Sequence, residues 1–299
     1  MKFGNLFFSC LFIVLIPFLS CTVEINVQGE NEHIESYLSK RSDVIYYNGF
    51  ETSIPGETDW MKLWGSNWED PFGSNRLTRE NKDVVAGTNA IRISYPKGGV
   101  GPRETGAQWP LSFENIENLQ PLYDSLYLRY YVKFEKGFDF VKGGKLPGLM
   151  GGKDSYVRSG GNQPDGTNGW TMRFMWRTDG EAVIYAYLPE GKYKKGVWGF
   201  DISLNKKFIP GQWHCIEQFI AVNTIGKNDG RLKTWFDGDL SIDLDDVTYR
   251  TVDNEFGSIG GMYFSTFHGG NKKTWAPNVD SFAQFDGFVI AQKRVGTKD

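Results

Sequence analysis

The sequence predicts an all-β protein, a single two-sheet antiparallel sandwich of the jelly-roll kind, and three observations carry that prediction. Segments whose side chains alternate between apolar and polar recur along the chain, the period of a half-buried strand. The stretches between them are rich in Gly, Asn and Asp, as in Thr178-Asp179-Gly180 and Asp237-Gly238, which is turn chemistry. No alternation of strands with long helices is present, so the strands must pack on one another as sheets.

The segment Leu126–Phe134 shows the pattern best, with Leu126, Leu128, Tyr130, Val132 and Phe134 on one face and Arg129 and Lys133 on the other. Gly169–Arg177, Ala182–Leu188, Gln212–Val222, Arg231–Phe236 and Met262–Phe267 also read as strands. Only short helices are expected, one of them around Phe113–Leu119. The chain carries 10 Trp, 14 Tyr and 22 Phe, which suits either a bulky sandwich core or a surface that stacks on carbohydrate.

The start of the chain reads differently. Lys2 is followed by the apolar run Leu11–Ile16 and then by Phe18-Leu19-Ser20-Cys21, the layout of an export signal and too short for a comfortable membrane span. Ser20 before Cys21 points to lipoprotein processing with lipid on Cys21, although an ordinary cleaved signal would also explain it. Residues 22–44 are polar and aperiodic and read as a flexible tether, leaving residues 45–299 as one domain. The expected location is therefore outside the cytoplasm, in the periplasm or on the cell surface, held to the membrane by the N-terminal lipid alone. Beyond Cys21 only Cys215 remains, so no disulfide framework exists. A formal net charge of −3 gives no sign of a nucleic-acid partner, and a monomer is expected.

Two neighbouring strands gather reactive side chains. In Trp170–Trp176 the residues Trp170, Met172, Phe174 and Trp176 share one face, which leaves Thr171 and Arg173 on the other. Tyr185 and Tyr187 likewise share a face of the next strand, so a short turn would bring all four together on one sheet. Upstream, Lys142–Leu149 reads as a glycine-rich bend able to lift Lys145 over that sheet, with Lys153, Arg158, Lys192, Lys194 and Lys195 adding positive charge. Cations beside tyrosines suit β-elimination from a 4-linked uronate. The C5 proton can leave only if the adjacent carboxylate is neutralised, and a tyrosine with its pKa lowered by cations can take it.

These residues resemble polysaccharide lyase family 14, the alginate lyases, and the related glucuronan lyases. The resemblance runs through Tyr47–Glu51, Tyr131–Phe134, Gly143–Leu149, Phe267–Gly270, Trp275–Pro277 and Phe285–Phe288. It implies a jelly roll, lyase activity on an acidic polysaccharide (alginate, polymannuronate or glucuronan) and no cofactor for the chemistry. It also implies that Tyr187 or Tyr185 is the acid–base residue, that Lys145 and Arg173 neutralise the carboxylate, and that Thr171, where serine is usual, binds the sugar.

Other candidates carry two readings each. Arg103 and Gln108 would bind an adjacent uronate, or Arg103 would form a loop salt bridge. His268 would touch substrate or be a satisfied structural histidine. His214 and Cys215 read as core residues. Glu51 and Asp286 would share a structural calcium ion or cap backbone groups. Against the lyase stand a non-catalytic glycan-binding sandwich and a glycoside hydrolase, for which Glu217 is a lone acidic candidate.

Overall fold

A computed structural model describes residue 1 and residues 37–38, 40–52, 72–152, 160–189 and 198–298. The export signal, Cys21 and most of the tether lie outside the described residues, as do Lys153, Arg158, Lys192, Lys194 and Lys195. Among those described, fourteen strands, numbered in chain order, form two antiparallel sheets. The first sheet runs β12 (Asp239–Val247), β11 (Gly230–Phe236), β10 (Trp213–Ala221), β5 (Ser125–Phe134), β14 (Ser281–Ala291), β3 (Ala90–Tyr95), β2 (Leu77–Glu80). β1 (Val44–Asn48) adds to β14. The second sheet runs β4 (Ala107–Ser112), β13 (Ile259–Thr266), β6 (Gly143–Gly151), β7 (Thr171–Arg177), β8 (Glu181–Tyr187), β9 (Phe200–Lys207). This is the expected sandwich.

The alternation in the sequence sorts residues between the interior and the outer faces. Leu126, Leu128, Tyr130, Val132 and Phe134 of β5 enter one core with Met172, Phe174 and Trp176 of β7. Trp109 of β4 stacks on its cross-strand partner Phe264 of β13 at 4.2 Å between ring centroids. The core thus fixes which faces of β4, β13 and β7 turn outward, and the site is built there. No helix among the described residues is long and apolar enough to cross a membrane.

Three expectations need correction. The helix at Phe113–Leu119 is a single 3-10 turn over Phe113–Asn115, because Ile116 returns to extended backbone and Asn118 is left-handed. Leu38, placed in the tether, is 4% exposed and packs against Val289 and Ala291 of β14, so packing of the domain begins before residue 45. The Lys142–Leu149 run is no bend over the sheet. From Gly143 onward it is β6, an interior strand of the second sheet. Its glycines permit close approach: a Cβ on Gly144 would overlap the Trp176 ring, and one on Gly148 the Met172 carbonyl oxygen.

Glu51 and Asp286 both make the hydrogen bonds of the capping reading. Glu51 accepts from the backbone and side chains of Thr88 and Asn89. Asp286, fully buried, accepts from the N–H groups of Val85, Ala86 and Gly287. No group of three metal-binding side chains occurs among the described residues. Burial pushes the Asp286 carboxyl up to about 7 against those hydrogen bonds. Asp286→Ala is expected to destabilise the domain by about 3 kcal/mol, since it leaves buried N–H donors unpaired. A denaturant titration would measure this, and an unchanged midpoint would show that the loop at residues 85–86 finds other acceptors.

Candidate active site

The site lies on the outer face of the second sheet, in a cleft of about 720 Å³. β7 and β8 pair so that Thr171 stands opposite Tyr187 and Arg173 opposite Tyr185. The row continues from Arg173 to Gly148 of β6 and Tyr263 of β13. Side chains directly opposite one another in such pairs have Cβ atoms only about 5 Å apart, so the strands alone bring Thr171, Arg173, Tyr185 and Tyr187 together.

Lys145 joins them by way of a bulge. Lys145 pairs with Met175 and Gly148 with Arg173, so three steps along β6 match two along β7. That extra residue reverses the alternation. Leu146 and Leu149 enter the core while Lys145 and Gly148 face outward. Without the bulge Lys145 would point inward. Its Nζ lies 3.3 Å from the centre of the Tyr185 ring and 3.0 Å from Met175 Sδ. Arg173 lies over the rings of Tyr187 and Tyr263, at 5.6 and 5.3 Å, and its Nη1 donates to Ser265 Oγ at 3.2 Å. Ser265 in turn donates to Gln108 Oε1.

The electrostatics of the site are set by two buried basic side chains. Lys145 is 9% exposed and Arg173 1%, and neither has a carboxylate partner among the described residues. The Nε of Arg173 and the Oγ1 of Thr171 are buried without a hydrogen-bond partner among those residues. Burial, then the Arg173 and Arg177 charges, push the Lys145 ammonium well below the usual lysine range. Arg177 is neutralised by a two-pronged ion pair with Asp201. Buried cations held this way are unfavourable until an anion arrives.

For Tyr185 the expected lowering is reversed. Burial first, then Tyr187, hold its hydroxyl above the usual range, and the pull of Arg173 and Arg177 does not overcome them. The two tyrosine rings meet edge to face at 5.3 Å.

The remaining candidates divide. Gln108 is buried, lines the cleft and reaches Arg173 through Ser265. Arg103 lines the cleft with its guanidinium over the Phe72 ring; the loop salt bridge is made instead by Glu104 and Lys273. Thr171 stands beside Tyr187 on the neighbouring strand, fully buried and behind the residues that line the cleft. His268 faces the core, fully buried against Tyr95, Phe138 and Trp176. Its Nε2 lies 2.7 Å from the Asp139 carbonyl, and burial pushes it down to about 4. The substrate-binding reading of His268 therefore gives way to the structural one. His214 is held between Ile209 N–H and Asp237, and Glu217 lies on β10 of the other sheet, accepting from Val295 N–H. Sequence reasoning missed Tyr263, Ser265 and the rim aromatics Trp198 and Trp275. The first two were within reach, since alternation from Met262 and Phe264 puts them on the site face.

The sequence profile of the family Polysaccharide lyase 14 matches residues 84–288. Among solved structures, the PL-14 alginate lyase from Aplysia kurodai is 27% identical with a TM-score of 0.70, over 84% of this chain and 99% of its own. An alginate lyase from a Chlorella virus is 20% identical with a TM-score of 0.57, over 76% and 100%. The endo-beta-1,4-glucuronan lyase of the fungus Trichoderma reesei is 12% identical with a TM-score of 0.52, over 84% and 96%. The latter two show a shared fold. A comparison with curated protein sequences gives no significant match. Since the family profile spans more than half of the chain and the chain folds as these enzymes do, the protein belongs to polysaccharide lyase family 14.

Proposed function

We propose that the protein cleaves a 4-linked polyuronate, alginate rich in mannuronate or glucuronan, by β-elimination. The observation that carries this reading is the pair of buried cations, Lys145 and Arg173, without a carboxylate partner among the described residues and set beside two tyrosines in an open cleft. A uronate carboxylate placed between them supplies the missing negative charge. As the C5 proton leaves, charge builds on that carboxylate, where the two cations hold it. Tyr187 takes the proton from C5, and the C4–O bond breaks as the C4–C5 double bond forms. In mannuronate and glucuronate the leaving oxygen lies on the same side as the C5 proton, so Tyr187 can return the proton to it. Tyr185, held protonated under Lys145, orients the sugar. No cofactor is called for, because side-chain cations take the carboxylate.

A hydrolase would need two carboxylates astride the scissile bond. Glu104 is the carboxylate among the side chains described as lining the cleft, and it is bound to Lys273. A glycan-binding module for an acidic polymer would use the cations but would have no use for two tyrosines set beside them to move a proton. Incubation with polymannuronate, polyguluronate, glucuronan and ulvan, followed by the ultraviolet absorbance of unsaturated uronates, tests the reading. Absorbance is expected with polymannuronate or glucuronan; saturated ends alone would overturn it in favour of hydrolysis.

We also propose that the enzyme is exported and lipid-anchored through Cys21 and acts as a monomer. The apolar run ending in Ser20-Cys21 supports the anchor. Cys21→Ala is expected to move the protein from the membrane fraction to the soluble one. Wild-type protein without lipid in mass spectrometry would refute it.

A further inference from the structure

Two polar side chains cross the interior of the sandwich and end on the backbone around Lys145. Tyr130 of β5 donates to the Pro147 carbonyl at 2.9 Å. Gln218 of β10 accepts from Leu149 N–H at 2.6 Å and donates through Nε2 to the Met172 carbonyl at 3.0 Å. Both side chains are fully buried. Gln218 also occupies a core position of its own strand, between Ile216 and Ile220, where an apolar residue would fill the space.

What the amide does there follows from the bulge. A bulge leaves backbone groups without their ladder partners, and Pro147 within it has no N–H to offer. Gln218 takes one group from each strand, Leu149 N–H of β6 and Met172 C=O of β7. These flank Gly148 and Arg173, which face each other across the same two strands. A buried amide is unfavourable unless both its ends are bonded, and here both are.

We propose that Gln218 is a positioning residue for elimination. Its amide fixes β6 against β7 at the bulge, and so sets where Lys145 and Arg173 stand relative to Tyr185 and Tyr187. It touches no substrate and acts from the opposite sheet. The inference rests on the lyase reading above.

Two variants test it. Gln218→Met keeps length and apolar volume but loses both hydrogen bonds. Gln218→Glu keeps the shape, and its carboxyl when protonated still offers one acceptor and one donor. With polymannuronate or glucuronan, whichever the wild type cleaves, and well below each variant's Tm, Gln218→Met is expected to lose roughly 10–100-fold in kcat. KM should change little, and the alkaline limb of the pH profile should move because Lys145 is displaced. Gln218→Glu should approach wild-type kcat in acid and fall away from it as its carboxyl ionises. A Gln218→Met enzyme with lower Tm but wild-type kcat and pH profile would overturn the inference, leaving Gln218 a structural residue only. If Gln218→Met does not fold, Gln218→Glu decides: a ratio to wild type that stays flat with pH overturns it. If the wild type yields no unsaturated product from any polyuronate, the lyase reading has failed on its own account. The crystal structure of the variant that folds, for Gln218→Glu at a pH where its carboxyl is ionised, then judges the positioning claim. Lys145 Nζ still 3.3 Å from the Tyr185 ring centre would refute it, and a displaced Nζ would support it.

Discussion

Tyr187→Phe is expected to lower kcat by roughly 10²–10⁴, the worth of general acid–base catalysis, and by more if one hydroxyl makes both proton transfers. Tyr185→Phe should cost less and act partly through KM. The assignment follows from the surroundings of each ring. Tyr185 lies under the Lys145 ammonium, and burial together with its contact to Tyr187 keeps its proton on. A group held protonated is a poor base and a good hydrogen-bond donor. Tyr187 faces Arg173, the cation that would hold the carboxylate next to C5. Phenylalanine keeps the edge-to-face packing of the two rings at 5.3 Å, so the loss should appear in kcat with Tm close to wild type. Absorbance of the unsaturated product measures it. Full activity in Tyr187→Phe together with a large loss in Tyr185→Phe would exchange the two roles. Full activity in both would end the tyrosine mechanism.

Much of this site was legible because strands alternate. Thr171 and Arg173 had to leave the face occupied by Met172, Phe174 and Trp176, and a short turn had to place Tyr185 and Tyr187 beside them. Lys145 was legible as a residue type but not as a position. Gly143, Gly144, Pro147 and Gly148 carry the composition of a loop, yet the run is an interior strand. Its glycines answer to crowding from Trp176 and Met172, which belong to a different stretch of chain. The bulge that turns Lys145 outward is set by pairing between β6 and β7, which no local pattern announces. Gln218 left a fainter mark, a polar residue at a core position between Ile216 and Ile220. His268 was ambiguous because a glycine-rich loop beside a cleft can face either way. Packing against Phe138 and Trp176 decides it.

Arg173→Ala and Lys145→Met should each lower kcat/KM by roughly 10²–10³, the effect of removing one donor aimed at charge that develops in the transition state. The two losses are not expected to add, because both cations act on one carboxylate. Lys145 should leave a second signature, in pH. Its proton is held weakly in the free enzyme, chiefly by burial and then by repulsion from Arg173 and Arg177. As pH rises through that lowered pKa the ammonium becomes neutral, so kcat/KM, which reports the free enzyme, should fall on the alkaline side. Lys145→Arg keeps the charge at any working pH and should shift this limb upward, whatever it does to the maximum. The sign for stability is opposite to that for activity. A lysine whose folded pKa lies below its unfolded one destabilises the fold most when the pH is below the folded value. The penalty fades as pH climbs toward the unfolded value. Lys145→Met, with its side chain beside Met175 Sδ, should therefore unfold at the same Tm as wild type or higher, with the larger gain at the lower pH. Thermal melts at two pH values alongside the rate measurements would separate the two effects. A variant that lost both activity and Tm at every pH would mean that Lys145 is fixed by the fold's own needs. A variant that kept its rate would remove Lys145 from the chemistry.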